Sequence, residues 1–423
     1  NGESRIQDWV RDWVGLRRAV SRKCWHSLPK SAMVSAMRGL DSQDELICLR
    51  TGGQPQAGAE PVLPPIVQAS LFRHARTADL LDGLAHESRR TVYSRGTNPG
   101  VCALETSLAA LERAGDCRCF GSGMAAIAAT LFAILDSGDH ILFAGDIYGP
   151  TLQLATQLER FGITHSQVFP EGETALDTIE AALTPATRLI FVESPGTMLF
   201  GLLPLEAIAR LAQSRNILTA IDNTVATPLL QKPVTLGFDI VLHSCSKYIG
   251  GHSDVIGGAV MASEDLIQRI FERGYMLLGG IQAPLDAFLL TRGLMTLPAR
   301  LKQHQADGET LARALADHPR VRRVFHPALD DGAAELFERQ MRGHSGLFSI
   351  EIDVPDFDRV CACLDRLKLF GRAVSWGGVE SLVIPAGRAD GRDPRRPFNL
   401  VRLSVGLEGP DRLLDDLDQA LGQ

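Results

Sequence analysis

Short, unbroken apolar runs at residues 140–144, 189–192, 218–221 and 240–242 constrain this chain more than any other feature. None alternates apolar with polar residues, so each reads as a strand buried on both faces. Helical patterns separate them, as at 123–135 and 204–214. Strands interleaved with helices in this way predict an α/β fold with a mostly parallel sheet covered on both sides. In such a sheet, ligands sit beyond the carboxyl ends of the strands. The chemistry is therefore to be sought in the residues that follow each run.

The flanks read differently. Ile6, Trp9, Val10, Trp13 and Val14 share one helical face, with Arg5, Arg11, Arg17, Arg18 and Arg22 around it. Glu3, Asp8 and Asp12 are unusual in an organelle presequence, which favours a helical arm packed on this or a neighbouring subunit. Residues 51–100 are rich in Gly, Pro and polar side chains and suit an extended arm. Beyond about Leu297 the pattern becomes α+β, with a helix near 303–316, strands near 321–325 and 347–352, and a last helix after Pro410. The expected division is an arm over 1–99, a large α/β domain over 100–298 and a smaller C-terminal α+β domain over 299–423.

Composition narrows the partners. The 423 residues are 45% hydrophobic and 22% charged, with a formal net charge of −7 and no long basic run, so nucleic acid is not an expected partner. No apolar stretch reaches the length of a membrane span. The eight cysteines form no C-x-x-C pair, and the C-x-C spacings at 117/119 and 361/363 lack nearby histidines. They read as reduced thiols of a cytoplasmic protein, with no metal site.

Ser244-Cys-Ser-Lys-Tyr248 follows the run at 240–242 and leads into Gly250-Gly-His-Ser-Asp254. A lysine at a strand end is either a solvated cation or an amine held for Schiff-base chemistry, which requires a fixed position and a lowered pKa. Asp222 ends the preceding strand and aims into the same crevice, either to hold a pyridinium nitrogen protonated or to cap a helix. Phe120-Gly-Ser-Gly-Met-Ala-Ala126 opens directly into an apolar helix, whose free N–H groups either suit a phosphate or mark an ordinary helix start at Gly or Ser. Ser244 and Ser246 add hydroxyls to the same anion. Tyr148 leaves the strand at 140–144, placed either to stack on an aromatic cofactor or to plug the core. Tyr93 and Arg95 suit a phosphate and, lying in the arm, can serve a neighbour's site. Arg402 interrupts an apolar strand, so it needs a bidentate partner, either a substrate carboxylate or an internal acid.

Together these segments resemble the Cys/Met-metabolism (transsulfuration) family of pyridoxal-phosphate enzymes, of fold type I. The likeness runs from about Thr51 to Leu421 and rests on Tyr93-Ser-Arg95, Ser122-Gly-Met-Ala-Ala126, Tyr148-Gly-Pro-Thr151, Asp222-Asn-Thr224, Ser244-x-Ser-Lys-Tyr248 and Arg402-Leu-Ser-Val-Gly-Leu-Glu408. It implies pyridoxal 5'-phosphate as cofactor, with Lys247 as its covalent anchor and proton carrier. It further implies that Asp222 pairs with the ring nitrogen, that Tyr148 stacks on the ring, and that Gly123, Met124, Ser244 and Ser246 hold the phosphate. Tyr93 and Arg95 would complete that phosphate site from the adjacent subunit of a homotetramer built as a dimer of dimers. Arg402, assisted by Ser375, would bind the carboxylate of a small amino-acid substrate.

Within the family, Glu193-Ser-Pro-Gly-Thr197, Ser375-Trp-Gly-Gly378 and the segments at 289–297 and 346–349 resemble the cystathionine β-lyases. Trp376 stands where γ-acting members commonly have leucine, and Pro150 where methionine γ-lyases usually have cysteine. The usual Met-Thr-His stretch is replaced by Ile384-Pro-Ala-Gly-Arg-Ala-Asp-Gly391. The resemblance thus implies β-elimination on cystathionine or a related cysteine S-conjugate in methionine biosynthesis, with γ-replacement or γ-elimination as the alternative.

Overall fold

The structure is a computed structural model that describes residues 39–50, 61–387 and 395–422. The apolar helical face at Ile6 to Val14, the first part of the Gly/Pro-rich arm and positions 388–394 lie outside the described residues.

Seven strands form the large sheet: β1 (Asp116–Phe120), β2 (His140–Ala144), β3 (Thr164–Val168), β4 (Thr187–Glu193), β5 (Leu218–Asp222), β6 (Ile240–His243) and β7 (Gly258–Ala262). Their order is β1-β7-β6-β5-β4-β2-β3, with β7 antiparallel to both neighbours and the pairs from β6 through to β3 parallel. The apolar runs are unbroken because neighbouring residues enter different cores. Leu142, Ile190, Val192, Ile221 and Val241 pack into one, while Phe143, Leu189, Phe191, Ala220 and Leu242 pack into the other. That two-residue period also puts Glu193 and Asp222 on the second face, in line with Phe191 and Ala220.

The helix Gly123–Ile134 covers this second face. Ser122 caps it, its hydroxyl accepting the Ala125 N–H at 3.0 Å. Glycine is required where backbones meet here. A Cβ on Gly258 would lie 2.2 Å from the Ser122 carbonyl oxygen, and one on Gly123 3.0 Å from the Ser244 Cβ. The start of the helix and the turn after β6 are thus pressed together.

The second sheet has the order β10-β11-β12-β9-β8, from β8 (Val321–Phe325), β9 (Leu347–Ile352), β10 (Gly371–Arg372), β11 (Leu382–Pro385) and β12 (Leu400–Ser404). Phe348, Ile350, Val401 and Leu403 pack there against Leu413, Leu417 and Leu421 of the helix Pro410–Leu421.

The helix expected near 303–316 begins instead at Pro284 and runs 33 residues to Ala316. Pro298, which removes one N–H from the ladder, lies buried inside it. The Gly293 carbonyl in the preceding turn accepts from Arg300 Nη2 at 2.9 Å and Thr296 Oγ1 at 3.1 Å, so side chains support the turn that the proline disturbs. Leu290, Leu294 and Leu297 enter the core of the large sheet, whereas Leu311 and Leu315 enter that of the small one. One helix therefore joins the two layers, and the expected 298/299 division falls within it. The arm also holds a helix, Thr77–Ala85, that the Gly/Pro-rich pattern did not suggest.

Candidate active site

One cavity lies beyond the carboxyl ends of β4, β5 and β6, lined by Ser122, Gly123, Met124, Tyr148, Asp222, Ser244, Ser246, Lys247 and Trp376 among others. Residues far apart in sequence meet there because the strands that carry them are neighbours in the sheet.

The turn after β6 fixes the lysine. Lys247 N–H donates to the Ser244 carbonyl at 3.2 Å, and Gly251 N–H to the Lys247 carbonyl at 2.8 Å. Gly251 has φ of +72°, and a Cβ there would meet the Arg300 guanidinium at 2.1 Å. Lys247 Nζ donates to Ser375 Oγ at 2.6 Å and lies 4.7 Å from the centre of the Trp376 ring. Ser375 itself has φ of +89°, a strained conformation for a residue with a side chain. That strain places its hydroxyl on the amine.

Burial, then the Arg402 charge, pushes the Lys247 amine down to about 8, with Asp222 opposing the shift. The neutral amine is the nucleophile, and its fraction rises with pH through that value. Capture of a carbonyl cofactor by cofactor-free protein should therefore speed up with pH and level off a little above pH 8. Stopped-flow absorbance checks this. A rate still climbing toward the ordinary lysine value of 10.5 would contradict it.

Asp222 Oδ1 accepts from the Thr224 N–H at 3.1 Å and from the Thr224 hydroxyl. Burial raises its carboxyl, while the Thr224 hydrogen bonds and then the His243 and Lys247 charges hold it down. Ser246 Oγ accepts the Gly257 N–H at 3.0 Å, and the Ser244 N–H donates to Thr224 Oγ1 at 2.7 Å. Tyr148, 40% exposed, precedes the helix Gly149–Leu158 at the cavity wall.

Arg402 is 4% exposed in β12, between β11 and β9. Its Nη2 donates to the Ser375 carbonyl at 3.4 Å, its Nη1 lies 3.8 Å from Met198 Sδ, and its guanidinium stacks 4.7 Å from the Trp376 ring centre. Among the described residues it has no carboxylate partner, so none of them forms the internal salt bridge that the sequence left open. Burial, then the nearby Arg396 charge, lowers it to about 10.

Tyr93 and Arg95 are exposed, with the guanidinium 5.7 Å from the Tyr93 ring centre, and neither lines the cavity. Glu193, Thr197 and Thr224 also line it. The sequence offered them only within segments that resemble the family and assigned none of them a site role. Thr224 was visible as the hydroxyl two residues past Asp222, whereas a role for Glu193 emerges only when β4 is set beside β5.

The donor set fits pyridoxal phosphate. The capped helix start, pressed against Ser244 and close to Ser246, is a cradle for a doubly charged phosphate. A carboxylate on the floor matches a pyridinium nitrogen, and an amine lowered from its ordinary value matches an aldehyde. Arg402, unpaired with any carboxylate among the described residues, has the chemistry to bind a carboxylate.

The profile of the family described as Cys/Met metabolism PLP-dependent enzymes matches residues 45–422. Cystathionine γ-synthase of Mycobacterium tuberculosis is 39% identical over 380 residues, covering 88% of this chain and 95% of that protein. Cystathionine γ-lyase of Bacillus subtilis is 36% identical, covering 87% and 96%, and cystathionine β-lyase of Coxiella burnetii 35%, covering 88% and 96%. The crystal structure of metB from Corynebacterium glutamicum superposes with a TM-score of 0.82 at 34% identity, covering 90% of this chain and 97% of that one. The chain belongs to the Cys/Met-metabolism family of enzymes that use pyridoxal 5'-phosphate.

Proposed function

We propose that this enzyme is a carbon–sulfur lyase that catalyses β-elimination on cystathionine or a related cysteine S-conjugate, releasing a thiol, pyruvate and ammonia. The observation that carries the reading is Trp376, whose ring centre lies 4.7 Å from both Lys247 Nζ and the Arg402 guanidinium. Arg402 fixes the substrate carboxylate, and the Cα–H is thereby set before the amine. Bound pyridoxal phosphate supplies the electron sink for the charge released at Cα. Lys247 Nζ takes that proton and passes it to the sulfur leaving from Cβ. Chemistry at Cγ asks the amine to reach one carbon further. The indole and the Ser375 hydroxyl restrict that reach.

The second reading is γ-replacement on an O-activated homoserine. It is favoured by the 39% identity of the mycobacterial γ-synthase against 35% for the Coxiella β-lyase. Product analysis with cystathionine and O-acyl homoserines side by side separates the two. Pyruvate from cystathionine is the expected result. 2-Oxobutyrate, or a new thioether from activated homoserine, would move the assignment to the second reading.

The proposed assembly is a cytoplasmic homotetramer in which Tyr93 and Arg95 reach the phosphate of an adjacent subunit. The exposed apolar side chains of Leu71, Leu81, Leu84 and Leu277 support a covered surface beside the arm.

A further inference from the structure

Glu193 is a buried acid with an unusual setting. It is 3% exposed, at the end of β4, and its Cα is the register partner of Asp222 on β5. Both carboxyl groups rise from the same face of the sheet into one cavity. Glu193 Oε1 accepts the Tyr148 N–H at 2.6 Å, and Oε2 lies 2.6 Å from Thr197 Oγ1. Among the described residues no lysine, arginine or histidine pairs with it.

We propose that Glu193 is carried as the neutral carboxylic acid and is a positioning residue that ties the Tyr148 loop to the Thr197 loop while the single negative charge stays on Asp222.

Two buried carboxyl groups on neighbouring strands disfavour each other's ionised form, so one of them is the better place for a proton. The surroundings decide which one holds the proton. Asp222 receives two donors from Thr224 and faces the His243 and Lys247 charges. The charges that weigh most on Glu193 are the negative ones of Asp222 and Asp146, the latter paired with Arg396. Burial, then Asp222, pushes the Glu193 carboxyl well up, against the hydrogen bonds of Thr197 and Tyr148. Protonation of Oε2 reverses its bond to Thr197, whose hydroxyl donates to the ionised carboxylate and accepts from the neutral acid, while Oε1 keeps the Tyr148 N–H.

The two loops that this acid joins serve opposite ends of the reaction. Tyr148 lines the cavity where it would stack on the ring of the bound cofactor. Met198 follows Thr197, its N–H donating to Asp146 Oδ2 at 3.1 Å and its sulfur 3.8 Å from Arg402 Nη1. The inference rests on the cofactor family and not on the choice between β- and γ-chemistry, which product analysis decides separately.

The test is infrared spectroscopy of the holoenzyme near neutral pH, in H2O and D2O, with wild type and Glu193→Gln compared. The expected result is a neutral-acid carbonyl band in wild type that moves down in D2O and disappears in the variant. Glutamine reproduces the neutral acid's pattern, accepting from Tyr148 and donating to Thr197. Glu193→Gln should therefore keep kcat/KM within about tenfold, the worth of one net hydrogen bond. Glu193→Ala should instead raise KM and weaken the visible circular dichroism of the bound cofactor. Absence of the acid band in wild type carrying 13C-labelled glutamate would overturn the proposal, and this arm does not depend on either variant folding. A folded glutamine variant as impaired as the alanine variant would overturn it too.

Discussion

Lys247→Ala should abolish turnover and remove the visible absorbance of covalently held cofactor, while leaving the fold intact. The effect is large because one atom serves two purposes. In the proposed mechanism Nζ would be both the nucleophile for the cofactor aldehyde and the carrier of the substrate proton, and proton transfer alone is worth about 10²–10⁴-fold. The structure explains why no neighbour replaces it. Lys247 is the only lysine lining the cavity among the described residues, and the other cation beside Trp376 is Arg402, whose guanidinium does not deprotonate at working pH. The fold should survive because the side chain projects into the cavity, while Tyr248, Ile249 and the glycines pack the turn itself. Absorbance spectra and the melting temperature of the purified variant check both halves. A variant that retains the covalent band would place the anchor elsewhere.

Arg402→Ala should chiefly raise KM. Among the described residues the buried guanidinium meets the Ser375 carbonyl, the Met198 sulfur and the Trp376 ring and pairs with no carboxylate, which suits it to a substrate anion. Loss of one partner of a buried charge pair costs about 2–5 kcal/mol, roughly 30- to several-thousandfold in kcat/KM. Arg402→Lys should recover only part of this, because an ammonium cannot form the two-point contact of a guanidinium with a carboxylate. Cofactor absorbance should persist in both variants, since Arg402 makes no contact with the phosphate cradle. Steady-state kinetics with a carboxylate substrate and its amide give the check. An equal loss with both substrates would show that Arg402 reads something other than the carboxylate.

The legibility of the chain follows from burial. β2, β4, β5 and β6 were readable as unbroken apolar runs because both faces of each are covered. β1 was hidden by Asp116 and Arg118, the latter buried but neutralised by Glu105 at 3.0 Å. β3, with Thr164, His165, Ser166 and Gln167, is polar because it forms the sheet edge. Pro298 concealed the first half of the long helix, since sequence rules place helix ends before a proline. Within the site, Lys247, Asp222, Ser244 and Ser246 could be grouped because each follows a recognisable strand. The Glu193–Asp222 juxtaposition could not, because it depends on which strands are neighbours. The surroundings of Arg402 are likewise a property of three dimensions. Its strand position announced a need for an acid, and none of the described residues packed around β12 supplies one.

The central claim is that the Lys247 amine, lowered by burial and held by Ser375, is where pyridoxal phosphate is bound. Borohydride reduction of the holoenzyme followed by peptide mass mapping tests it most directly. The predicted result is one stoichiometric phosphopyridoxyl label on Nζ of Lys247. A label on any other lysine, or none on freshly reconstituted protein, would contradict the account.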